Sequence, residues 1–349
     1  GNIDASNSSA SIVFSNSSGI TLPASLFTGS INNLFLTGAG GITASDNLTV
    51  NGILNLQSSN PSATKGLLDM GSYTLNMGSG STTTGPGDVE GIVKRQHTFE
   101  INTTYTFGSQ YTTFVFLDNY KKPGWIICKI TIGTLPDWGS LGGWDTIKGK
   151  VSRYYNVAAS NDTSTSKAEI NMRYLTSELD ATYNNETKLV FWHKYVNFGG
   201  GTPHEHGKST QDLLNHTIGV TGIIFGSHVT TDPSQSEVAI AYPATSKNIW
   251  KGEVAYQETN WNETQNWTAG RVPLSTDDVL IPGGLTHYPS LAGDAVANSI
   301  EILSGATLTA NSYTIRISGT EGAWINHGTF NAGTSKVIFN HGETSQIVT

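Results

Sequence analysis

Short apolar segments recur about every 21 residues near both ends of the chain, and this spacing limits the possible folds more than any other feature. Near the N-terminus, Phe14, Phe35 and Leu56 lie 21 positions apart, and near the C-terminus Leu280 and Ile302 lie 22 apart. Ser, Asn, Gly and Thr fill the intervening turns. A unit of this length that holds one set of short strands is typical of a β-solenoid, whose coils stack strand on strand. We therefore predict an all-β chain with parallel β-helix segments at both ends.

The middle of the chain has a different pattern, with longer alternating strands such as 126–132 and 168–174. Seven to nine strands of this kind, separated by turn signals, predict an antiparallel β-sandwich. We therefore predict three parts: a β-solenoid segment at 1–90, a β-sandwich domain at 91–245 and a capped β-solenoid segment at 246–349. Tryptophans at the start of the third part are predicted to cover the exposed end of its core. They are Trp250, Trp261 and Trp267.

Composition excludes several classes of partner and stabilising device. The formal net charge is −8 with scattered Lys and Arg, which argues against a nucleic acid or an anionic membrane surface. Cys128 is the only cysteine, so an internal disulfide is excluded, and we expect it to be buried in a strand. No apolar stretch approaches the roughly 18 residues of a membrane span, so we expect no membrane insertion. No signal peptide is recognisable, so we interpret the chain as a mature or excised piece.

The two ends resemble the β-helical repeat regions of large secreted surface proteins of Bacteroidetes that are exported by the type IX route. The resemblance covers about 1–110 and 249–349, and the middle matches only loosely. It implies an extracellular or cell-surface adhesin or filament component, although the carboxy-terminal export signal of such proteins is missing. The motifs that carry it include Ile20-Thr21-Leu22-Pro23, Gly41-Ile42-Thr43, Trp250-Lys251-Gly252, Asn266-Trp267, Asp277-Asp278-Val279-Leu280-Ile281-Pro282, Asn326-His327-Gly328-Thr329-Phe330 and Val337-Ile338-Phe339-Asn340.

One histidine-rich segment, His204-Glu205-His206, is a candidate for metal chemistry. Two histidines two positions apart point to the same side of an extended segment, but the helical spacing of a zinc hydrolase is absent. A third ligand would have to come from His193, His216 or His228. We interpret the segment as a solvated loop.

Calcium is the other metal considered, since carboxylate oxygens are its usual ligands. Asp137, Asp145 and Asp180 could supply them. We nevertheless predict that the chain functions without a cofactor.

Two further residue sets suggest carbohydrate chemistry. Trp138, Trp144 and Asp145 lie in a Gly-rich loop, where exposed indoles beside a carboxylate would bind a glycan by stacking and hydrogen bonding. The alternative is that these tryptophans fold back over the edge of the sandwich.

Asp277 and Asp278 could be the paired carboxylates of a polysaccharide lyase, with calcium and a basic residue such as Arg316. We interpret them instead as acceptors for turn amides at the entry to the first coil. A polysaccharide lyase or hydrolase is therefore the most remote of the functions considered.

The favoured function is a non-catalytic extracellular structural or adhesive repeat, not an enzyme. Ile12 and Phe14 in the first coil, and Ile338 and Phe339 in the last, lie at ends without recognisable caps. Open coil ends are templates for further strands, so we predict head-to-tail stacking in a filament or tandem array. The alternative is a glycan-binding module that attaches to surface polysaccharide.

Overall fold

The chain folds as an all-β protein built on β-solenoid coils. Two compact units are present: Gly1–Pro203 with Lys208–Tyr242, and His204–Gly207 with Pro243–Thr349. The first unit therefore contains both the segment predicted as a solenoid and most of the segment predicted as a sandwich. The computed structural model describes residues 1–62, 64–139, 144–145, 147–160, 166–195, 203–224, 236–243, 247–319 and 322–340.

The first unit begins with a solenoid whose coils each supply three strand positions. Its strands pair in parallel as β1–β4–β7–β9–β11, as β2–β5–β8–β10 and as β3–β6–β9. The strands are β1 (Ile3–Ala5), β2 (Ser11–Phe14), β3 (Ile20–Thr21), β4 (Phe27–Ile31), β5 (Asn33–Leu36), β6 (Ile42–Thr43), β7 (Leu48–Val50), β8 (Ile53–Leu56), β9 (Leu68–Met77), β10 (Thr82–Thr84) and β11 (Val89–Gln96).

The register of β2, β5 and β8 corrects one detail of the sequence-based repeat. Ile12 pairs with Leu34 and Leu34 with Leu54, so successive coils are 22 and 20 residues long rather than 21 each. Leu34 is 1% exposed and faces the core, whereas Phe35 is only half-buried and faces outward. A one-residue slip in a strand moves a side chain to the opposite face, so the uniform spacing assigned Phe35 to the wrong row.

The solenoid continues without interruption into antiparallel structure, because β11 pairs in parallel with β9 and antiparallel with β14. One antiparallel sheet has the order β11–β14–β15–β21–β17 and the other β12–β13–β16–β20–β19. The buried apolar side chains of the solenoid and of both sheets form one core. The added strands are β12 (Thr104–Thr106), β13 (Thr113–Phe116), β14 (Trp125–Ile132), β15 (Arg153–Ala159), β16 (Lys167–Arg173), β17 (Val190–Tyr195), β19 (Thr210–Asp212), β20 (Thr217–Ile224) and β21 (Ser236–Ala241), with short 3₁₀ helices at Thr176–Glu178 and Glu186–Lys188. The strand β18 (Pro203–Gly207) lies almost wholly in the second unit.

The second unit is a solenoid with its own core. Its strands pair in parallel as β22–β23–β25–β28, as β24–β27–β30 and as β26–β29, and one 3₁₀ helix spans Thr264–Asn266. The strands are β22 (Asn248–Ile249), β23 (Asp278–Ile281), β24 (Ala295–Ala297), β25 (Ser299–Ile302), β26 (Thr307–Thr309), β27 (Thr314–Ile317), β28 (Trp324–Asn326), β29 (Thr329–Asn331) and β30 (Lys336–Phe339).

Three tryptophans cover the start of this second core, as the sequence predicted. Trp250, Trp261 and Trp267 are each at most 1% exposed and belong to the same buried cluster as Val279. The Trp267 ring meets the other two edge to face at centroid distances of 5.0 and 4.7 Å. This geometry suits the quadrupoles of the rings, so the cap is a packed aromatic layer.

Candidate functional site

A buried ion cluster joins the first solenoid to the two antiparallel sheets. Asp88 precedes β11, Arg153 begins β15 and Arg173 ends β16. The carboxylate of Asp88 accepts a hydrogen bond of 2.9 Å from Arg153 Nη2 and one of 3.0 Å from Arg173 Nη1. Arg153 also pairs with Glu178 at 2.7 Å. One turn of the solenoid is thereby held to a strand from each sheet.

Burial and the neighbouring arginines shift the pKa of Asp88 in opposite directions. Burial by itself would raise the pKa of Asp88, but the guanidinium groups of Arg153 and Arg173 outweigh this effect and lower the pKa. Glu178 is paired with Arg153, but burial raises the pKa of its carboxyl group. A buried pair of this kind is strongly destabilising to break, because the remaining partner is left charged without compensation. The cluster therefore suits a structural role.

A second buried arginine, Arg95, has no carboxylate partner among the described residues. Its guanidinium donates hydrogen bonds to the carbonyl oxygens of Gly78, Ser81 and Thr106 at 2.7 to 2.9 Å. Burial lowers the pKa of Arg95 to about 10, so the side chain remains charged at neutral pH. It links a turn of the last solenoid coil to β12 of the second sheet.

Arg95 was missed in the sequence analysis, although β11 carries a signal for it. Val89 and Val93 occupy inward positions of this strand, and Arg95 follows in the same alternation. A charged residue in the apolar phase of a strand indicates a buried polar contact. Its partners could not be read from the sequence, because they are backbone carbonyls of a distant turn.

The outer surface of the continuous sheet presents polar and aromatic side chains around β9, β11 and β14, of which Lys129 is exposed and Lys94 and Trp125 are half-buried. Lys94 lies between Asn76 on β9 and Ile127 on β14, and Lys129 lies opposite Ile92. Trp125 follows in the next row, and its ring centroid is 5.8 Å from Lys94 Nζ. We call this surface, defined by Asn76, Ile92, Lys94, Trp125, Ile127 and Lys129, the open face.

The two tryptophans predicted to contact glycan are buried. Trp138 is 1% and Trp144 2% exposed, with ring centroids 4.3 Å apart, and Trp144 packs edge to face on Trp192. Trp138 Nε1 donates a hydrogen bond to Glu237 on β21, and Asp145 is exposed. These indoles cover the sheet over β17 and β21, as the alternative interpretation had it. Neither ring presents a face on which a sugar could stack.

The histidines and aspartates considered as metal ligands each form contacts elsewhere in the fold. His193 bonds to Ser236, and His216 Nδ1 lies 2.8 Å from a Glu186 carboxylate oxygen. Asp180 accepts two backbone N–H bonds of its own turn. Across the described residues, no group of three or more His, Cys, Asp or Glu is arranged to hold a metal ion. His228 and the side chains of His204 and Glu205 lie outside the described parts of the chain. Of the remaining candidates, His206 is half-buried and Asp137 is exposed.

Asp277 and Asp278 both engage in contacts at the entry to the second solenoid. Asp277 forms a bidentate pair with Arg271 and accepts the backbone N–H of Leu274. Asp278 accepts hydrogen bonds of 2.8 and 2.6 Å from Asn298 and Ser299 in the next coil. Asp277 thus accepts a turn amide, as the capping interpretation expected, whereas the partners of Asp278 are side chains of the next coil rather than turn amides.

The predicted assembly residues differ in orientation. Ile12 and Phe14 are half-buried and pack against the first core, and Phe339 packs against the second. Ile338 pairs with the exposed Arg316, so by strand alternation it lies in the outward row. Val337, which pairs with the buried Ile315, packs against the second core instead.

Comparison of the chain with family models, with characterised proteins and with solved structures gives no match. None of the helices in the described residues has the length and apolarity of a membrane span. Cys128 is buried in β14, as expected, and burial raises the pKa of its thiol well above the ordinary range.

Proposed function

We propose that this chain is a non-catalytic structural and adhesive segment of an extracellular surface protein. The observation that carries the proposal is the continuity of the first unit, in which β11 is at once the last solenoid strand and the first antiparallel strand. Two sets of buried arginine contacts reinforce that connection. A segment built in this way resists being pulled apart at the join, which suits a stalk or filament.

Single-molecule stretching of the full chain tests the structural role. We expect the solenoid and both sheets of the first unit to unfold in one high-force step, because they share a sheet and a core. Asp88→Asn should lower that force, whereas Asp46→Asn, at a position outside the ion cluster, should leave it unchanged. Peeling of the solenoid at low force before the sheets open would contradict the proposal.

Assembly with another solenoid coil is part of the proposal. Ile12 and Phe14 are only half-buried at the edge of the first solenoid, and a further parallel coil would bury them. That coil could belong to a longer form of the same chain or to a second copy. Disulfide cross-linking of Phe14→Cys with Phe339→Cys should give ladders if copies stack head to tail. Monomers alone at high concentration would exclude stacking between separate chains.

Attachment to glycans is a second candidate function. It is favoured by the open face of the first unit, where Lys129 is exposed and the half-buried side chains of Lys94 and Trp125 lie against each other. A glycan array with the full chain tests for it, and binding should be lost in Trp125→Ala.

A further inference from the structure

We propose that the open face binds acidic polysaccharide, with Lys94 and Lys129 holding carboxylate or sulfate groups and Trp125 stacking on a sugar ring. The proposal rests on glycan attachment as the second candidate function and specifies its site and ligand class. It does not depend on the structural role of the first unit.

The first argument is the charge of the surface. The chain has a formal net charge of −8, yet no carboxylate lies within 4.0 Å of Lys94 or Lys129 Nζ among the described residues. Glu90, in the outward row of β11, lies diagonal to Lys129 and accepts a hydrogen bond from the backbone N–H of Gly66. Farther along the sheet, Glu237 contacts Lys194 and the Trp138 indole. The lysines of the open face are therefore available to an anionic partner.

The second argument is the arrangement of the side chains. On the neighbouring strand, Trp125 and Lys129 occupy the two positions diagonal to Lys94, at about 7 to 8 Å between backbone positions. Lys94 Nζ lies over the indole of Trp125, 5.8 Å from the ring centroid, so the ammonium group and the half-buried ring form one combined surface. A uronic acid or sulfated sugar presents a C–H face beside an anionic group, which matches an aromatic ring next to an ammonium group.

The third argument is that the surface continues beyond one sugar. At the end of β11, Gln96 pairs with Trp125 and also lines an open cleft of about 790 Å³ with His97 and Lys122. Tyr120, in the same loop as Lys122, is 69% exposed. One further lysine and an exposed tyrosine ring thus follow the open face, so an extended chain fits better than a single small anion.

Affinity electrophoresis of the full chain in gels containing polygalacturonate, dextran sulfate or neutral dextran tests the proposal. We expect retardation by the two acidic polymers and not by neutral dextran, with weaker retardation as salt is raised. Lys94→Gln and Lys129→Gln should each weaken binding about tenfold, the loss expected for one charge-assisted hydrogen bond. Lys336→Gln, which removes a lysine charge from an exposed position in the second unit, is the matched control and should bind like the original chain.

Variants at Trp125 separate stacking from folding. Trp125→Ala should abolish retardation and Trp125→Phe should retain most of it, while near-UV circular dichroism confirms that each variant is folded. Binding of neutral glycans that is insensitive to Lys94→Gln would overturn the acidic ligand class and leave glycan attachment in place. Equal retardation by duplex DNA would overturn saccharide recognition, and failure to bind any glycan on the array would overturn both.

Discussion

The two solenoids close their cores in different ways. The second begins under a layer of three tryptophans that are each at most 1% exposed. The first passes at β11 into antiparallel sheet, and its last coil is held by Arg95 and by the Asp88 cluster. An exposed coil end leaves apolar layers and strand edges uncovered, so either device solves the same problem.

The comparison shows that the same repeat can be closed by an aromatic cap, or by a shared apolar core with buried charges at the junction. The aromatic cap depends on area removed from water and tolerates changes of pH. The charged junction depends on complete pairing, and it fails when one member is removed. It also gives directional contacts to strands of both sheets, which an apolar layer does not. The following variants test this difference, from the largest expected effect to the smallest.

Trp267→Ala should destabilise the second unit by about 4 to 5 kcal/mol, because it removes a fully buried ring that contacts two other indoles. Hydrogen exchange measured by mass spectrometry should show lost protection in 247–340 and unchanged protection in the first unit. Tyr256→Ala, at a ring that is 94% exposed, serves as the control and should change nothing. An equal loss of hydrogen-exchange protection in both units of Trp267→Ala would mean that the two cores do not unfold separately.

Asp88→Asn should destabilise the first unit by about 3 to 4 kcal/mol, because Arg153 and Arg173 lose the buried charge they share. Chemical denaturation with hydrogen exchange as readout should show lost protection in β9, β11, β15 and β16 together. Loss confined to the solenoid strands would argue that the cluster does not connect them to the sheets.

Leu34→Ala should cost about 3 kcal/mol, whereas Phe35→Ala should cost less than about 1 kcal/mol. Leu34 is 1% exposed in the core and Phe35 is half-buried on the outer face. Thermal unfolding of the two variants compares adjacent positions of one strand. A larger destabilisation by Phe35→Ala than by Leu34→Ala would contradict this register and support the uniform 21-residue repeat.

Acid should weaken the first unit through Asp88. Its pKa is lower in the folded than in the unfolded chain, so its contribution is present above the ordinary aspartate pKa and is lost as pH falls through the lowered value. The difference in unfolding free energy between the original chain and Asp88→Asn should therefore narrow as pH falls from above the ordinary aspartate pKa to below it. A difference that stays constant over this range would contradict the assigned ionisation.

Strand content and the aromatic cap were accessible from the sequence because they depend on local alternation and composition. The repeat of Ile12, Leu34 and Leu54 shows in the chain as apolar segments, and Trp250 to Trp267 precede the first coil of the second solenoid. The face that each residue occupies was less accessible. The coils of 22 and 20 residues have the predicted mean length of 21. Because the two coils differ in length, however, Phe35 falls in the outward row and not in the core row.

The candidate site was harder to predict, since its parts are distant in the chain. The Trp138 and Trp144 loop has the composition of a glycan-binding loop, yet the neighbouring sheet supplies Trp192 and Glu237, on which the indoles pack. The open face combines Lys94 and Trp125 through strand register alone. No local pattern distinguishes an indole that will be covered from one that will remain exposed.

By itself, the sequence determined the fold class, the solenoid repeat and the capped start of the second solenoid, because period-two alternation and turn residues act over a few positions. Only the tertiary structure decided that the first solenoid and the antiparallel strands share one sheet and one core. It also decided which arginines are buried and where the Lys94 ammonium lies over the half-buried ring of Trp125. Those outcomes depend on which distant strands pair and in what register, and register is a property of the assembled sheet.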